Sequence, residues 1–424
     1  MSWRDVDTPA APRPAPLPSR SLNVSFTPQT GPYKLRQIGP PMTAHLAPRN
    51  LVLIGGGHSH ALILKRWGLS PLPDVRVTVI NPGAAAAYSG MLPGFVAGHY
   101  PREALELDIL RLAEFAGGCA VMGRATAIDR ENRLVHIEGQ PPIPYDIASV
   151  DIGITSAMPD LTGFATHGIP AKPLEAFATR WDRFRHKVHA GEITPEVAII
   201  GGGVAGAELA LAMAYALRSV KNTQVSLIDH SDILSEMRPA TRGAVLKALA
   251  KAGVQLRPQS RVAEVRADEV VFADGSTLAA QFTLGAAGAR PYGWLTQTGL
   301  ALQDGFIKVG PTLQSSDPRI FACGDCAHLT HAPRPKAGVF AVREAPVLFA
   351  NLQAALRDGS EARLRPYHPQ KDYLKLVSLG RKSALADKSG LRVSGPLIWR
   401  WKNHIDRTFM NQVKDLPQMT DKMN

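Results

Sequence analysis

Two glycine-rich loops carry the clearest chemistry in this chain of 424 residues. The first reads Gly-Gly-Gly-His-Ser-His from Gly55 to His60, and the second reads Gly-Gly-Gly-Val-Ala-Gly from Gly201 to Gly206. Each follows a short apolar run and opens a helical pattern, which is typical of a turn that holds a dinucleotide pyrophosphate. The glycines permit a tight turn and a close approach of the backbone, while the helix N-terminus attracts the phosphate charge. The sequence therefore predicts two dinucleotide sites.

The second loop has all the parts of an NAD site. Glycine occupies its three expected positions, and Asp229 ends the following predicted strand. A carboxylate there suits the free 2′-hydroxyl of NAD and repels the 2′-phosphate of NADP, so the loop favours NADH. The residues predicted to contact NAD are Gly201, Gly203, Val204, Ala205, Gly206, Asp229 and Gly288.

The first loop departs from the pattern at two positions. His60 takes the place of the third glycine, which predicts that the helix lies slightly further from the strand. Asn81 stands where an acidic residue usually grips the adenosine ribose, and its amide can bond a hydroxyl only without charge. We expect His58 and His60 to meet a phosphate through the loop backbone; the alternative is that their imidazoles simply pack at the helix start.

A third motif runs from Thr312 to Asp325 and ends in Phe-Ala-Cys-Gly-Asp. It resembles the segment that closes the FAD site in two-domain flavoproteins of the pyridine nucleotide-disulfide oxidoreductase superfamily. The resemblance implies that Asp325 binds the ribityl or pyrophosphate region of FAD. The stretch from Thr283 to Pro291 resembles the strand that returns from the NAD domain to the FAD domain. This order of motifs implies FAD at the first loop and NAD(P)H at the second.

The resemblance extends over about residues 50–413. The run from Tyr88 to Pro93 lies where the superfamily lines the flavin ring, and the C-terminal region resembles that of type II NADH dehydrogenases. The chain especially resembles the NADH dehydrogenase-like flavoproteins found near, or fused to, selenide, water dikinase. The residues implied for FAD are Gly55, Gly57, His58, Ser59, His60, Asn81, Met91, Leu92, Pro93, Gly324, Asp325, Lys336 and Ala337.

The resemblance also implies the chemistry, in which the flavin takes hydride from a nicotinamide. Glu208 is expected on the first turn of the second loop's helix, and in relatives a glutamate there points toward the nicotinamide–flavin contact. The alternative is an acid that merely favours the helix dipole. Lys172 is predicted to face the same cleft, with an ordinary surface lysine as the alternative. Lys336 and Ala337 precede a helix whose dipole would stabilise a reduced, anionic flavin.

The electron acceptor stays open between a quinone and another small molecule. Type II dehydrogenases have an Ala-Gln pair associated with quinone where this chain has Ala337-Gly338, and that departure counts against quinone. A reductase of selenium or sulfur metabolism is the first alternative, although Cys323 and Cys326 overlap the Gly-Asp motif and are predicted to be structural thiols. The second alternative is a non-catalytic flavin-binding sensor or scaffold, against which the intact second loop counts.

The elements that must position these residues predict an α/β fold with two Rossmann-like dinucleotide-binding domains and a small C-terminal α+β region. A strand–turn–helix–strand order begins at residue 50 and recurs at residue 197. The predicted divisions are a disordered extension over 1–49, the first part of the FAD domain over 50–165, the NAD(P)H domain over 166–289, the second part of the FAD domain over 290–357, and a C-terminal cap over 358–424.

Composition indicates the cellular compartment and the segments that do not belong to the folded domains. Three cysteines are too few for a disulfide framework and predict a reducing, cytoplasmic compartment. No spacing predicts a metal site, and the longest nearly uncharged stretch, residues 197–217 with Glu208 in it, is typical of a strand, turn and helix and not of a membrane span. The ten prolines of residues 1–49 predict disorder, with Met42 as an alternative start.

The C-terminal region is basic in a chain whose formal net charge is +12. Ile398, Trp401, Ile405, Phe409 and Val413 are predicted to share one helical face. A basic amphipathic helix of this kind suits the inner, anionic surface of a membrane, where the protein would be peripheral. Docking on the core or on a second copy in a homodimer is the alternative, and the aromatic residues are too sparse to predict nucleic-acid binding.

Overall fold

The computed structural model describes residues 48–417. The predicted N-terminal extension, Met42 included, lies outside these residues except for its last two positions. The strands are β1 (Arg49–Ile54), β2 (Val75–Asn81), β3 (Ala85–Ala87), β4 (Glu106–Asp108), β5 (Cys119–Met122), β6 (Ala125–Asp129), β7 (Leu134–Ile137), β8 (Gln140–Pro144), β9 (Ile147–Val150), β10 (Gly168–Pro170), β11 (Glu196–Ile200), β12 (Gln224–Ile228), β13 (Gln255–Arg257), β14 (Val262–Val265), β15 (Glu269–Phe272), β16 (Thr277–Ala279), β17 (Phe282–Gly285), β18 (Leu302–Gln303), β19 (Phe306–Val309), β20 (Ile320–Ala322), β21 (Ala327–Leu329), β22 (Lys375–Ser378), β23 (Ala384–Lys388) and β24 (Leu391–Gly395).

The helices alternate with these strands over most of the chain. They are α1 (His58–Leu69), α2 (Leu92–Val96), α3 (Ile109–Phe115), α4 (Phe164–His167), α5 (Leu174–His189), α6 (Val204–Ala216), α7 (Pro239–Lys251), α8 (Gly338–Asp358) and α9 (Pro396–Lys414).

Two five-stranded parallel sheets dominate the fold. The first has the order β20-β9-β1-β2-β5 and the second the order β10-β17-β11-β12-β13. Residues 51–54 of the central strand β1 and residues 197–200 of the central strand β11 are buried and apolar, as is typical of parallel sheets packed on both faces. In both sheets the loop after the central strand lies at the carboxyl edge, where open α/β sheets bind their ligands. The predicted fold class is confirmed.

The first sheet is assembled from two distant parts of the chain. Its strand β20 pairs with β9 in parallel, with Ile320 opposite Ala148 and Ala322 opposite Val150. The second sheet contains only strands from the intervening segment. This crossover places the turn that follows β20 beside the loop that follows β1. Two motifs that are far apart in sequence therefore share one edge of the first sheet.

Helix α8 is long and apolar enough to cross a membrane, and among the described residues it alone meets that criterion. More than half of its apolar window, 56%, is buried inside the protein. It packs along α1 and beside the turn that follows β20. These contacts indicate a core helix of the first sheet's domain.

The C-terminal region forms a three-stranded antiparallel sheet, β22-β23-β24, followed by α9. The predicted apolar positions of α9 lie within about one third of the helix circumference but in two different environments. Phe409 and Val413 are buried against the rest of the protein, whereas Trp401 and Ile405 are exposed. Residues spaced by four rotate about 40° per step around a helix, so the stripe drifts from one side to the other along α9.

Candidate functional site

The second loop lies open at the end of β11. Gly201 has a φ of +121°, and a Cβ there would meet the backbone of Ala287 at 2.4 Å. A Cβ on Gly206 would lie 1.9 Å from the carbonyl oxygen of Gly201, so this position also requires glycine. By contrast, a Cβ on Gly203 would meet nothing within 4 Å. Gly203, Val204 and Ala205 are exposed, which leaves the N-terminus of α6 free for a phosphate.

Asp229 joins this loop to the end of β12. Its carboxylate accepts the N–H of Gly202 at 2.6 Å and both the N–H and the hydroxyl of Ser231 at 2.7 Å. Burial opposes its ionisation, but these hydrogen bonds outweigh burial and lower the pKa of Asp229. A fixed negative charge therefore lies beside the loop, where sequence reasoning expects it. Gly288, also expected at this site, follows β17 with open space around its Cβ position.

The first loop repeats the backbone of the second but is closed by side chains. Gly55 has a φ of +93°, and the N–H of Gly56 donates to Asn81 Oδ1 at 2.9 Å, as Gly202 donates to Asp229. Asn81 Nδ2 donates to the carbonyl oxygens of Gly83 and Ala85. The amide is thus needed as both donor and acceptor within the loop, which a carboxylate could not satisfy.

His60 is a structural residue in this loop. Its ring is fully buried, with Nδ1 at 2.7 Å from the carbonyl oxygen of Gly55 and Nε2 at 2.9 Å from Ser149 Oγ. Burial lowers the pKa of His60 to about 4, so the imidazole is neutral. The ring therefore bridges the carbonyl oxygen of Gly55 and the hydroxyl of Ser149, contacts that glycine at the corresponding position of the second loop cannot make. Its side chain is turned away from the helix N-terminus.

Asp151 lies at the N-terminus of α1, and sequence reasoning assigned it no role. Its Oδ2 accepts the N–H groups of Ser59 and His60 at 2.9 and 3.0 Å. A Cβ on Gly57 would lie 2.3 Å from its carboxylate. Burial raises the pKa of Asp151 to about 6. The available sequence signal was its place directly after a buried strand, at the carboxyl edge of the sheet.

The Gly324-Asp325 turn adjoins Asp151. A Cβ on Gly324 would lie 2.6 Å from Asp151 Oδ1, and the N–H of Gly324 donates to Glu344 Oε2 at 2.7 Å. Burial raises the pKa of Glu344 to about 7. Lys172 Nζ lies 3.3 Å from Asp325 Oδ2, so this lysine forms an ion pair with the turn. Glu344 was not anticipated, because nothing in the helical pattern of α8 distinguishes it.

An open cleft extends from this turn. Its lining includes Gly324, Asp325, Lys336 and Ala337, all of them expected to contact FAD. Lys336 Nζ donates to the carbonyl oxygen of Ala327 and lies 3.9 Å from the ring centre of Phe306. Burial lowers the pKa of Lys336. The cleft therefore carries a cationic group where a phosphorylated ligand would be neutralised.

An aromatic group closes the other side of the first loop. The ring of Tyr88 stacks on Phe409 at 4.7 Å, and His58 contacts both rings at 5.2 and 5.6 Å. Among the described residues no group lies within hydrogen-bond distance of the buried His58 Nε2. Burial lowers the pKa of His58, so this nitrogen belongs to a neutral ring. Met91, Leu92 and Pro93, expected beside the flavin, are buried next to this group.

Glu208 lies where α6 meets the C-terminal region. It is the fifth residue of the helix, so its expected place on the first turn is wrong, and so is the alternative of an acid at the helix N-terminus. Its Oε1 accepts the N–H of Ser378 at 2.6 Å. Burial raises the pKa of Glu208, while the nearby charge of Lys402 opposes this shift.

A buried ionic network adjoins Glu208 and ties α9 to the flavin-lining run. Lys402 Nζ donates to Asp406 Oδ2 and to the carbonyl oxygen of Gly90, each at 2.7 Å. Tyr88 Oη donates to Asp406 Oδ1 at 3.1 Å. Burial raises the pKa values of Asp406 and Tyr88. Sequence reasoning missed Lys402 and Asp406 because their (i, i+4) spacing is also that of an exposed ion pair.

The two cysteines of the Gly-Asp motif are buried thiols. Cys326 Sγ lies 3.4 Å from the carbonyl oxygen of Val150, and Cys323 Sγ lies 3.8 Å from the same atom. Burial raises the pKa of Cys326 to about 12 and that of Cys323 well above its usual value. Neither is a thiolate at neutral pH, so neither is poised as a nucleophile. Within residues 48–417 no group of His, Cys, Asp or Glu side chains is arranged to hold a metal ion.

The residues around the first loop fit FAD. The cleft beside Asp325 and Lys336 suits a phosphorylated chain, and the unpartnered His58 Nε2 among aromatic rings suits the polar edge of a flat ring system. Asp151 does not fit a bound pyrophosphate in the same way. The carboxylate of Asp151 lies at the helix N-terminus that a pyrophosphate would use.

Comparison with known proteins agrees with this geometry. The family model of the pyridine nucleotide-disulphide oxidoreductases matches residues 49–345, well over half of the chain. The NADH dehydrogenase-like protein YutJ of Bacillus subtilis is 25% identical over 380 residues, which cover 84% of this chain and 99% of that protein. The nitric oxide reductase FlRd-NAD(+) reductase of Aeromonas hydrophila is 32% identical over 216 residues, about half of each chain.

Two solved structures share the fold. The sulfide:quinone oxidoreductase of Aquifex aeolicus superposes with a TM-score of 0.71 at 17% identity, covering 88% of this chain and 94% of that one. NDH2 of Plasmodium falciparum, solved with NADH, superposes with a TM-score of 0.71 at 13% identity, covering 85% and 97%. The chain therefore belongs to the pyridine nucleotide-disulphide oxidoreductase family, flavoenzymes that bind FAD and NAD(P)H.

Proposed function

We propose that this enzyme oxidises NADH at the second loop and passes the electrons, through FAD at the first loop, to a quinone at a membrane surface. Bound FAD supplies the chemistry of accepting hydride and releasing electrons. The chain supplies the two binding sites and the surroundings of the acceptor. The observation that carries the proposal is that α9 covers the flavin-lining run on one side and exposes an apolar, basic surface on the other.

The choice of NADH rests on Asp229. Its carboxylate is held ionised beside an open loop, and a 2′-phosphate placed there would be repelled. Nothing covers Gly203 among the described residues, which suits a nucleotide that binds and leaves in each turnover.

The surroundings of the acceptor are proposed from Tyr88, Asp406, Lys402 and Glu208. Reduction of a quinone to a quinol consumes protons as well as electrons, and Tyr88, Asp406 and Lys402 form a buried hydrogen-bonded chain beside Glu208. Tyr88 Oη donates a hydrogen bond to Asp406, and the ammonium group of Lys402 holds the Asp406 carboxylate in place. Gly338 has no side chain, so the nearby imidazole edge of His58 is the polar group at the position where type II dehydrogenases have glutamine.

The membrane contact is proposed from the C-terminal apolar surface, defined as Leu391 and Val393 on β24 with Leu397, Trp401 and Ile405 on α9. These side chains are exposed, Leu397 by 74% and Trp401 by 46%. From residue 391 to 414 the only acid is Asp406, which is buried, so the exposed charges on these elements are basic. An apolar strip with basic neighbours complements an anionic bilayer surface.

An anaerobic acceptor screen tests the proposed function. Purified holoprotein should be yellow and should bleach with NADH; a colourless protein that takes up no FAD would refute the cofactor assignment. Reoxidation should then be fastest with a quinone, compared with oxygen, selenite and polysulfide. Faster reoxidation by a selenium or sulfur compound would instead favour the reductase alternative, which the buried Cys323 and Cys326 do not support.

Liposome sedimentation tests the membrane contact. We expect Leu397→Ser with Trp401→Ser to weaken binding to anionic vesicles by about tenfold or more, because two large apolar side chains are lost from the surface. Met122→Ser is the matched control, since Met122 is an equally exposed apolar residue on β5. Equal binding by the double variant and the control would contradict the proposal, and a wild-type dimer that dissociates in the double variant would assign the surface to a second copy. Removal of α9 would be a poor test, because Phe409, Met410 and Val413 are part of the core.

A further inference from the structure

We propose that Asp151 makes FAD binding proton-linked, because its carboxylate lies at the pyrophosphate position of the first loop and has to carry a proton when FAD is bound. The inference rests on the proposed assignment of FAD to this loop. It concerns affinity and release of the cofactor, not the transfer of hydride.

The strand register of the two sheets shows which residue of the second loop corresponds to Asp151. In the first sheet β9 runs beside β1 with Val150 opposite Ile54, and the next N–H, that of Asp151, donates to the carbonyl oxygen of Ile54 at 2.8 Å. In the second sheet β17 runs beside β11 with Gly285 opposite Ile200. There the N–H of Ala286 donates to Ile200 at the same distance. Asp151 therefore stands where the second loop has an alanine.

The side chain of Asp151 reaches into the space that remains open in the second loop. Its Oδ2 accepts hydrogen bonds from the backbone N–H groups of Ser59 and His60, which are the groups that a helix N-terminus offers to a phosphate. Its Oδ1 lies against Gly57 and Gly324, the glycines of both FAD motifs. A phosphate at this loop would have to share these amides with the carboxylate.

The charges around Asp151 decide how that sharing occurs. The titratable groups that face Asp151 come from three elements: His58 on α1, Glu344 on α8, and Asp325 with the thiols of Cys323 and Cys326 on the turn after β20. Two cations, Lys172 and Lys336, lie beyond Asp325 and Glu344. Burial already raises the pKa of Asp151 to about 6, against the effect of its two amide bonds. An adjacent anionic phosphate raises it further. With a proton on Oδ1, the group would donate to a phosphate oxygen while Oδ2 keeps its amides.

The expected result is a dissociation constant for FAD that rises with pH. Above about pH 6 free Asp151 is ionised and each binding event takes up a proton, so the constant should rise by up to about tenfold per pH unit. Holoprotein is diluted to nanomolar concentration between pH 5.5 and 8.5, and released FAD is measured by its fluorescence. A wild-type constant that does not change with pH would overturn the proposal.

Two variants at Asp151 test its role. Asp151→Asn has the shape of the protonated acid, and Asp151→Ala copies Ala286; both should hold FAD at pH 8 at least tenfold more tightly than the wild type and lose most of the pH dependence. Glu114→Gln, which removes an exposed acid on α3 of the same domain, is the charge control and should keep the wild-type slope. A wild-type slope in both Asp151 variants would overturn the proposal. Absence of FAD binding at every pH in the wild type would instead refute the proposed function.

A reciprocal substitution in the second loop tests the same idea by NADH binding, without any measurement of FAD affinity. Ala286→Asp places a carboxylate beside the open N-terminus of α6, and it should weaken NADH binding more at pH 8 than at pH 6. This is measured by fluorescence titration with NADH, with Ala286→Asn as the matched control. Equal weakening by both variants at both pH values would count against a proton-linked carboxylate.

Discussion

The two glycine loops have the same backbone and opposite surroundings. Both begin with a glycine of positive φ and both N-cap glycines are extended. The second loop exposes Gly203 and Val204, whereas His60, Asn81 and Asp151 enclose the first with side-chain hydrogen bonds. An open loop suits a nucleotide that exchanges in every turnover, whereas the side chains of the first loop bring a carboxylate to the position of a phosphate. The difference shows that a shared motif fixes the backbone of a loop but not the side chains that surround it.

The largest expected effect separates the two loops at their third glycine position. Gly206→Val should raise the dissociation constant of NADH about a hundredfold, since its Cβ would overlap the carbonyl oxygen of Gly201. The flavin content should stay unchanged. Gly203→Ala is the control: its Cβ meets no protein atom, so it should weaken NADH binding without lowering the Tm. Loss of FAD rather than NADH in Gly206→Val would reverse the assignment of the loops.

The next effect concerns the residue at the end of the strand beside each loop, Asp229 after β12 and Asn81 in β2. Asp229→Arg should raise the dissociation constant of NADH about tenfold and shift preference toward NADPH, because the carboxylate beside the ribose is replaced by a cation. Titration with both nucleotides measures this, and an unchanged preference would contradict the role of Asp229. Asn81→Asp, the corresponding change in the first loop, should leave NADH binding intact and cost about 2 kcal/mol of stability, since Asn81 Nδ2 bonds two carbonyl oxygens.

The third test is a pH dependence of stability at His60, which concerns folding and not ligand binding. Its folded pKa of about 4 is below the unfolded value of 6.5, so the unfolded chain binds more protons between these values. This contribution to the free energy of unfolding is present above pH 6.5 and falls as the pH falls toward 4, by about 3 kcal/mol at most. His60→Gln should therefore lose less stability than the wild type between pH 6.5 and 4.5 in urea unfolding. Asp151, with its raised pKa, contributes in the opposite direction in both proteins. Parallel curves would contradict the neutral, buried ring.

Sequence patterns were sufficient for the parts of the site that depend on local backbone. Gly55 and Gly201 could be assigned because a tight turn with positive φ restricts the residue type. Asp229 could be assigned because its distance along the chain from the loop follows from one strand–helix–strand unit. The two predicted repeat starts, at residues 50 and 197, lie within one residue of the starts of β1 and β11, because both strands are apolar runs that end at a glycine loop. The position of Glu208 in the second turn of α6 was missed, since helix starts are uncertain by a residue or two.

Only the tertiary structure decided what each side chain faces. Asp151 meets the first loop across 92 positions of sequence, and Lys402 meets Gly90 across 312, so no local pattern could pair them. The spacing of Cys323 and Cys326 allowed a redox pair until burial showed two neutral thiols. The apolar positions of α9 were divided between core and surface by the elements packed on one side of the helix. The sequence by itself determined two dinucleotide loops and their order, because these follow from backbone sterics and chain connectivity. Folding determined which loop is open, because burial and long-range hydrogen bonds depend on the whole chain.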